Sequence, residues 1–214
     1  MDLLPLTPVE ERFWLPAARF LAPADRGRSV IALESALTER EAINAFRSRD
    51  TRWVRRVRQI RLRSTAQVFV PYYVFHVIIA DGKRRQPGLF AVDAVRGVLD
   101  PYHFEAGLDT LGLEPIHSPN CLPAALEIDA AWPILADRLR RVIFQTGFWR
   151  TRQAHLSTEG DPLTVHLPYW IGFYAAGRFV RLEVLDGVRR CFEGAKARAL
   201  FESWLVESQP RSRD

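Results

Sequence analysis

The chain has 214 residues, 48% of them apolar, and a net charge of +5 with a pI near 9.7. That length allows one large domain or two small ones, and that apolar fraction excludes a disordered chain. The longest apolar run, 68–80, is interrupted by Pro71 and His76 and falls short of the roughly 20 residues a membrane-spanning helix needs.

Residues 1–37 read as an apolar, proline-rich arm. Pro5, Pro8, Pro16 and Pro23 break any long helix. Met1 to Pro5 lacks the basic region of a secretory signal. Phe13, Trp14, Leu15, Phe20 and Leu21 are too greasy to stay in water, so the arm either covers an open side of the protein's own sheet or docks on a partner. Ser29 to Leu33 reads as a short strand ending the arm.

A first α+β unit is expected over 38–105. Thr38-Glu39-Arg40-Glu41 is a capping box, in which the Thr38 hydroxyl accepts from the Glu41 amide and the Glu41 carboxylate reaches back. Ala42, Ile43, Phe46, Trp53 and Val57 continue at helical spacing, taking the helix to about Arg56. Ile60 and Leu62 alternate with Arg61 and Arg63 as in a half-exposed strand. A hairpin follows over 67–80 and 88–99, with Pro71 expected near the strand's start or at a bulge.

Residues 106–127 read as an acidic linker rich in Pro and Gly, and 128–206 as a second α+β unit. Asp129 is placed to cap its helix, with Pro133 in the first turn. Phe148 to Leu156 reads as a strand and Thr158 to Pro162 as a turn before a second hairpin. Ala197, Leu200, Phe201, Trp204 and Leu205 mark a last helix, and 207–214 a tail. The expected fold is α+β: two tandem helix-strand-strand-strand units, an internal duplication, whose antiparallel sheets are covered by amphipathic helices about a pseudo-twofold axis.

The duplication is read from two hairpins. Val70-Pro71-Tyr72-Tyr73 recurs as Leu167-Pro168-Tyr169-Trp170, and Val92-Asp93-Ala94-Val95-Arg96-Gly97 as Leu185-Asp186-Gly187-Val188-Arg189-Arg190. This pattern resembles the PepSY-type hairpin repeat of prokaryotic proteins, in which a strand ends in Asp-x-x-Thr-Gly. The first copy keeps the final Gly without the Thr; the second has neither. The resemblance implies a small hairpin module for binding or regulation and carries over no catalytic residue.

Charge is unevenly spread. Residues 38–63 hold nine Arg against three acidic residues, a local +6, whereas 100–137 hold seven acidic residues and no Lys or Arg. Arg49, Arg52, Arg55, Arg56, Arg58, Arg61 and Arg63, with Trp53 among them, form the sharpest candidate surface. Arginine favours planar, bidentate contacts to phosphate or carboxylate. The stripe can grip an acidic protein surface, anionic lipid headgroups or nucleic acid with Trp53 stacking on a base, or it can be neutralised by 100–137 inside the fold.

Other chemistry is sparse. Asp93 and Asp186 are either a facing catalytic pair or acceptors for turn amides. His103, His117 and Cys121, with Asp109 or Glu114, lack compact metal spacing. Cys121 and Cys191 suggest no disulfide framework, and cytoplasmic residence is the simplest expectation. Neither a phosphate-cradling Gly loop nor a G-x-S-x-G elbow is present, so no cofactor is expected. The expected function is a non-enzymatic binding or accessory subunit of a larger protein assembly, meeting its partners through the arm and the Arg stripe. The alternatives are a nucleic-acid-binding protein and a small hydrolase or lyase using Asp93 and Asp186.

Overall fold

The computed structural model describes residues 27–54, 61–81, 84–105, 107, 110–145, 155–176 and 179–207. In chain order β1 (Arg28–Leu33) leads to α1 (Glu39–Val54), and β2 (Arg61–Asp81) turns into β3 (Arg84–Asp93). Then β4 (Tyr102–Phe104) and β5 (Leu113–Ser118) precede α2 (Ile128–Gln145). The hairpin of β6 (His155–Ala176) and β7 (Phe179–Asp186) is followed by α3 (Ala195–Glu207).

The expected architecture has to be corrected. The described strands form one curled, mixed, half-barrel sheet in the order β4-β3-β2-β6-β1-β5, with β7 also on β6. There are no two tandem helix-strand-strand-strand units with separate covered sheets: strands dominate, and the described helices number only three. The reason lies in two long strands. The Arg61–Arg63 alternation and the apolar run after Val68 are one strand of 21 residues, half-exposed at its start and buried through its middle. β6 has 22 residues, and the two pair antiparallel from Arg61–Ala175 to Ala80–His155. Each hairpin thus completes the other's sheet.

The expected turn at Thr158–Pro162 lies inside β6. There the ladder steps from Val74–Leu163 to His76–Glu159, leaving residues 160–162 unpaired on β2, and Gly160 takes φ +71°. That is a bulge, which bends a strand without ending it. Pro71 and Pro168 sit mid-strand for a related reason. Their carbonyls accept the Ala94 and Gly187 amides at 2.8 and 2.9 Å, where β3 and β7 have already turned away. The missing proline N–H therefore faces no ladder partner.

The repeated motifs meet in matching register. Val70 pairs with Leu167, and on either side Val68 pairs with Tyr169 and Tyr72 with Val165. Tyr72 also pairs with Asp93, as Tyr169 does with Asp186. The helices are exchanged across this centre. In α1, Ala42 and Phe46 pack on Trp170, Tyr174 and Leu185 of the second hairpin. In α2, Ala131, Leu135 and Leu139 pack on Tyr73, Val77 and Val92 of the first. The opposite face carries the main core, where Val70, Tyr72, Leu167 and Tyr169 meet Leu200 and Phe201 of α3 and Tyr102 of β4. β5, within the stretch expected to be irregular, pairs with β1 from Arg28–Ser118 to Leu33–Leu113.

The capping box forms at α1: the Thr38 amide donates to Glu41 Oε2 at 2.8 Å, and the Glu41 amide to Thr38 Oγ1 at 3.3 Å. At α2 the helix starts one residue before Asp129, which lies in the first turn.

The turns that end β3 and β7 differ at Ala94 and Gly187 and, with a cost in backbone strain, at Gly97 and Arg190. Gly97 has φ +62° and its register equivalent Arg190 has φ +56°. A left-handed conformation costs a residue with a Cβ about 1–2 kcal/mol. At Gly97 a Cβ would also lie 3.1 Å from Ile134 Cδ1. Gly97→Ala should therefore lower stability by at least about 1–2 kcal/mol. Arg190→Gly, which gives up only an exposed ion pair to Glu41, should leave stability unchanged or raise it. Urea unfolding of the two variants checks this opposition of sign.

Candidate functional site

Two clusters of polar side chains sit among the described residues, both held by the paired hairpins. The first is buried at the centre. The Tyr72 and Tyr169 hydroxyls are 2.7 Å apart, their rings fully enclosed. Tyr102 of β4 sets its ring edge-on to Tyr72 at 5.5 Å and donates its hydroxyl to Asp186 Oδ2. The Arg189 guanidinium covers the Tyr102 ring at 3.5 Å and donates to the Pro101 carbonyl at 2.7 Å.

Asp93 and Asp186 lie fully buried at the two ends of this cluster. Asp93 accepts the amides of Arg96, Gly97 and Leu99 at 2.7–2.9 Å. Asp186 accepts those of Val188 and Arg189 at 2.8 and 2.7 Å, with the Tyr102 hydroxyl in the place of a third amide. Both carboxylates thus do the work of turn caps, and neither opens to solvent. From α2, Arg138 fastens the Asp93 turn by donating to the Gly97 and Leu99 carbonyls.

Burial holds the Tyr72, Tyr169 and Tyr102 phenols well above their ordinary value of 10.0. The Asp186 carboxylate pushes all three in the same direction, while the hydrogen bond with Tyr72 draws Tyr169 back. The protonated phenols are hydrogen-bonding groups, and the cluster stores order rather than a nucleophile.

The second cluster lies at the edge of β7. Glu183, with only 3% of its side chain exposed, receives Arg181 on Oε1. Arg198 of α3 stands 3.6 Å from Oε1 and Arg49 of α1 3.8 Å from Oε2. Arg49 also lies over the Phe192 ring, 4.1 Å from its centroid.

The arginine stripe divides accordingly. Arg49 belongs to the Glu183 cluster, while Arg61 and Arg63 are exposed. Arg63 is the extra residue of a bulge, since the ladder steps from Leu62–Tyr174 to Ser64–Phe173. The side chains of Arg52 and Trp53, and the whole of Arg55, Arg56 and Arg58, lie outside the described residues. So do Phe13, Trp14, Leu15, Phe20 and Leu21 of the arm. No described ion pair joins the stripe to 100–137: there Asp100 pairs with Lys196, and Asp137 with Arg141.

The histidines are not gathered. His103 stacks on Phe90 at 4.6 Å, His117 lies 3.2 Å from the Ser29 hydroxyl, and Asp109 lies outside the described residues. Among the described residues no three of His, Cys, Asp and Glu come together as a metal site, and no helix is long and apolar enough to cross a membrane. His166 is half-buried, and burial lowers its pKa. Sequence reasoning missed Arg181, Glu183 and Arg198. The one available signal was the charged Arg181-Leu182-Glu183 where the first hairpin has Gly88-Leu89-Phe90.

No family model matches the chain, and no curated protein or solved structure matches it either.

Two outcomes test the tyrosine cluster. Raised phenol pKa values mean that, above about pH 10, the unfolded chain releases protons the folded chain keeps. Stability is fully present below that pH and declines as pH rises beyond it. Tyrosinate absorbance should show Tyr72, Tyr102 and Tyr169 ionising only together with cooperative unfolding. Separately, Tyr72→Phe leaves the Tyr169 hydroxyl buried without its partner and should cost about 1–3 kcal/mol. Adding Tyr169→Phe should cost much less than a second such penalty, as a double-mutant cycle in urea will show.

Proposed function

We propose that this chain is a non-catalytic binding or accessory subunit that engages an acidic surface of another protein through the basic rim where α1 meets the start of β2. One observation carries this reading. Arg47, Arg61 and Arg63 are exposed and make no ion pair among the described residues. They lie next in sequence to an apolar contact, for Arg47 follows Phe46, and Arg61 and Arg63 stand on either side of Leu62, which packs in the cluster of Phe46 and Tyr174. The scaffold beneath is closely packed: the Tyr174 hydroxyl donates to the Phe46 carbonyl at 2.8 Å, and the Phe46 ring lies against Gly172, where a Cβ would come within 2.7 Å. Guanidinium groups on such a base suit planar contacts to carboxylates, and arginine is enriched at protein interfaces. The apolar arm ahead of β1 adds a second surface in this reading.

The test uses the full chain and a fluorescent poly-glutamate peptide followed by anisotropy. Binding should weaken as salt screens the charges, and should fall at least tenfold in the Arg47→Glu, Arg61→Glu, Arg63→Glu variant at unchanged melting temperature. Binding of a single-stranded oligonucleotide but not of the peptide would replace this reading with the nucleic-acid one. Binding of neither overturns both.

A further inference from the structure

The side of β2 that faces away from β6 is paired unevenly. From Tyr72 to Asp81 it carries β3. Before that, residues 120–122 take over: the Phe69 amide donates to the Asn120 carbonyl at 2.8 Å, and the Leu122 amide to the Phe69 carbonyl at 2.9 Å. Asn120 ends the contact with its side chain, Nδ2 donating to the Gln67 carbonyl at 3.0 Å. Nearer the start of β2 no described strand continues this ladder.

Which backbone groups are left over follows from alternation. In an antiparallel pair every second residue turns its N–H and C=O to the partner strand, and the others turn away. Phe69 turns away from β6, since both its groups bond to 120–122. The ladder with β6 runs from Ser64 to Val74 without a register shift, so Gln67 and Thr65 turn away as well. That leaves the Gln67 N–H and both backbone groups of Thr65 without a partner among the described residues.

Two other edges of the sheet are closed to a newcomer by proline. At β5 the Glu34 amide donates to the Gly112 carbonyl, which in the register with β1 turns Pro115 outward. At β3 the Ala94 amide bonds to the Pro71 carbonyl, which in the register with β2 turns Pro87 outward. Each proline takes the donor out of the middle of a free edge. β7 is closed differently, for Cys191 and Glu193 pair with its end, and Leu182 and Glu183 are buried. The start of β2 has neither device. Ser64, Thr65, Ala66 and Gln67 are uncharged and half-buried, with no proline among them.

We propose that an extended acidic segment of another protein adds to the sheet at this edge, lying along β2 beside Thr65 and Gln67. The choice of an acidic partner rests on the reading under Proposed function; what is added is the form in which that partner is held. Arg61 and Arg63 stand on the same strand, exposed and without an ion pair among the described residues, so a strand laid alongside brings its carboxylates to them. In strand addition the main-chain bonds supply affinity, and the side chains supply the choice of partner.

The experiment follows amide exchange in the full chain by NMR, alone and with a saturating peptide of alternating glutamate and valine. Alone, the Thr65 and Gln67 amides should exchange much faster than those of Ala66 and Val68, which face β6. With the peptide, exchange at Thr65 and Gln67 should slow at least tenfold while Ala66 and Val68 change little. Gln67→Pro, which removes one outward donor, should weaken the peptide at least tenfold at unchanged melting temperature. Should that variant melt early, exchange in the unaltered chain decides. Peptide binding that leaves exchange at Thr65 and Gln67 unchanged overturns strand addition and keeps the acidic-partner reading. Absence of peptide binding overturns both. Slow exchange of the two amides in the chain alone also overturns the proposal: lost on dilution, it places a second copy at the edge, and retained, it shows that the chain covers the edge itself.

Discussion

The hydroxyl contact between Tyr72 and Tyr169 fixes how the two longest strands may pair. It sits beside the Val70–Leu167 pair, the one place where matching residues of the two hairpins face each other. A one-residue slip of β6 on β2 would put the two phenols on opposite faces and bring the α1-covered residues of β6 into the main core. It would also carry Pro71 and Pro168 away from the positions where the neighbouring strands have ended. Register, proline placement and helix docking are therefore one constraint seen from three sides.

Against that near-repeat, the departures carry the information. Tyr102 supplies to Asp186 the bond that the Leu99 amide supplies to Asp93, so the short β4 strand of the first half completes the turn of the second. Gly172 stands where the first hairpin has Phe75, which makes room for Phe46 of α1. Glu183 stands in place of Phe90, and Arg190 in place of Gly97. Each substitution converts a generic hairpin position into a particular contact. The charged ones, Glu183 and Arg190, cluster around β7 and its turn.

Much of the local structure was legible in the chain. Thr38 and Glu41 announced the start of α1, the Pro-Tyr motifs announced the hairpins, and the aspartates at strand ends announced capped turns. These signals act over a few residues. What could not be read is pairing at long range. Nothing near Arg61 says that its ladder partner is Ala175, and the polar Thr158–Pro162 stretch has the composition of a turn although the strand continues through it. The exchange of α1 and α2 could not be read locally, because the fit of Phe46 over Gly172 joins residues 126 positions apart. The Glu183 cluster was half hidden for the same reason, since Arg181 is its neighbour in sequence but Arg49 reaches it from α1.

The crossed placement of α1 and α2 has a consequence for how the molecule can be divided. Severed between β5 and α2, the first piece would carry α1 with no hairpin to cover, and β2 with a long bare edge. The second piece would carry α2 in the same plight. Each fragment holds what the other lacks, so the cut makes a complementation pair in which neither fragment is a domain. During synthesis the emerging β2 stays a half-finished sheet until β6 has left the ribosome, and in that interval its open edge is the part of the chain most in need of protection.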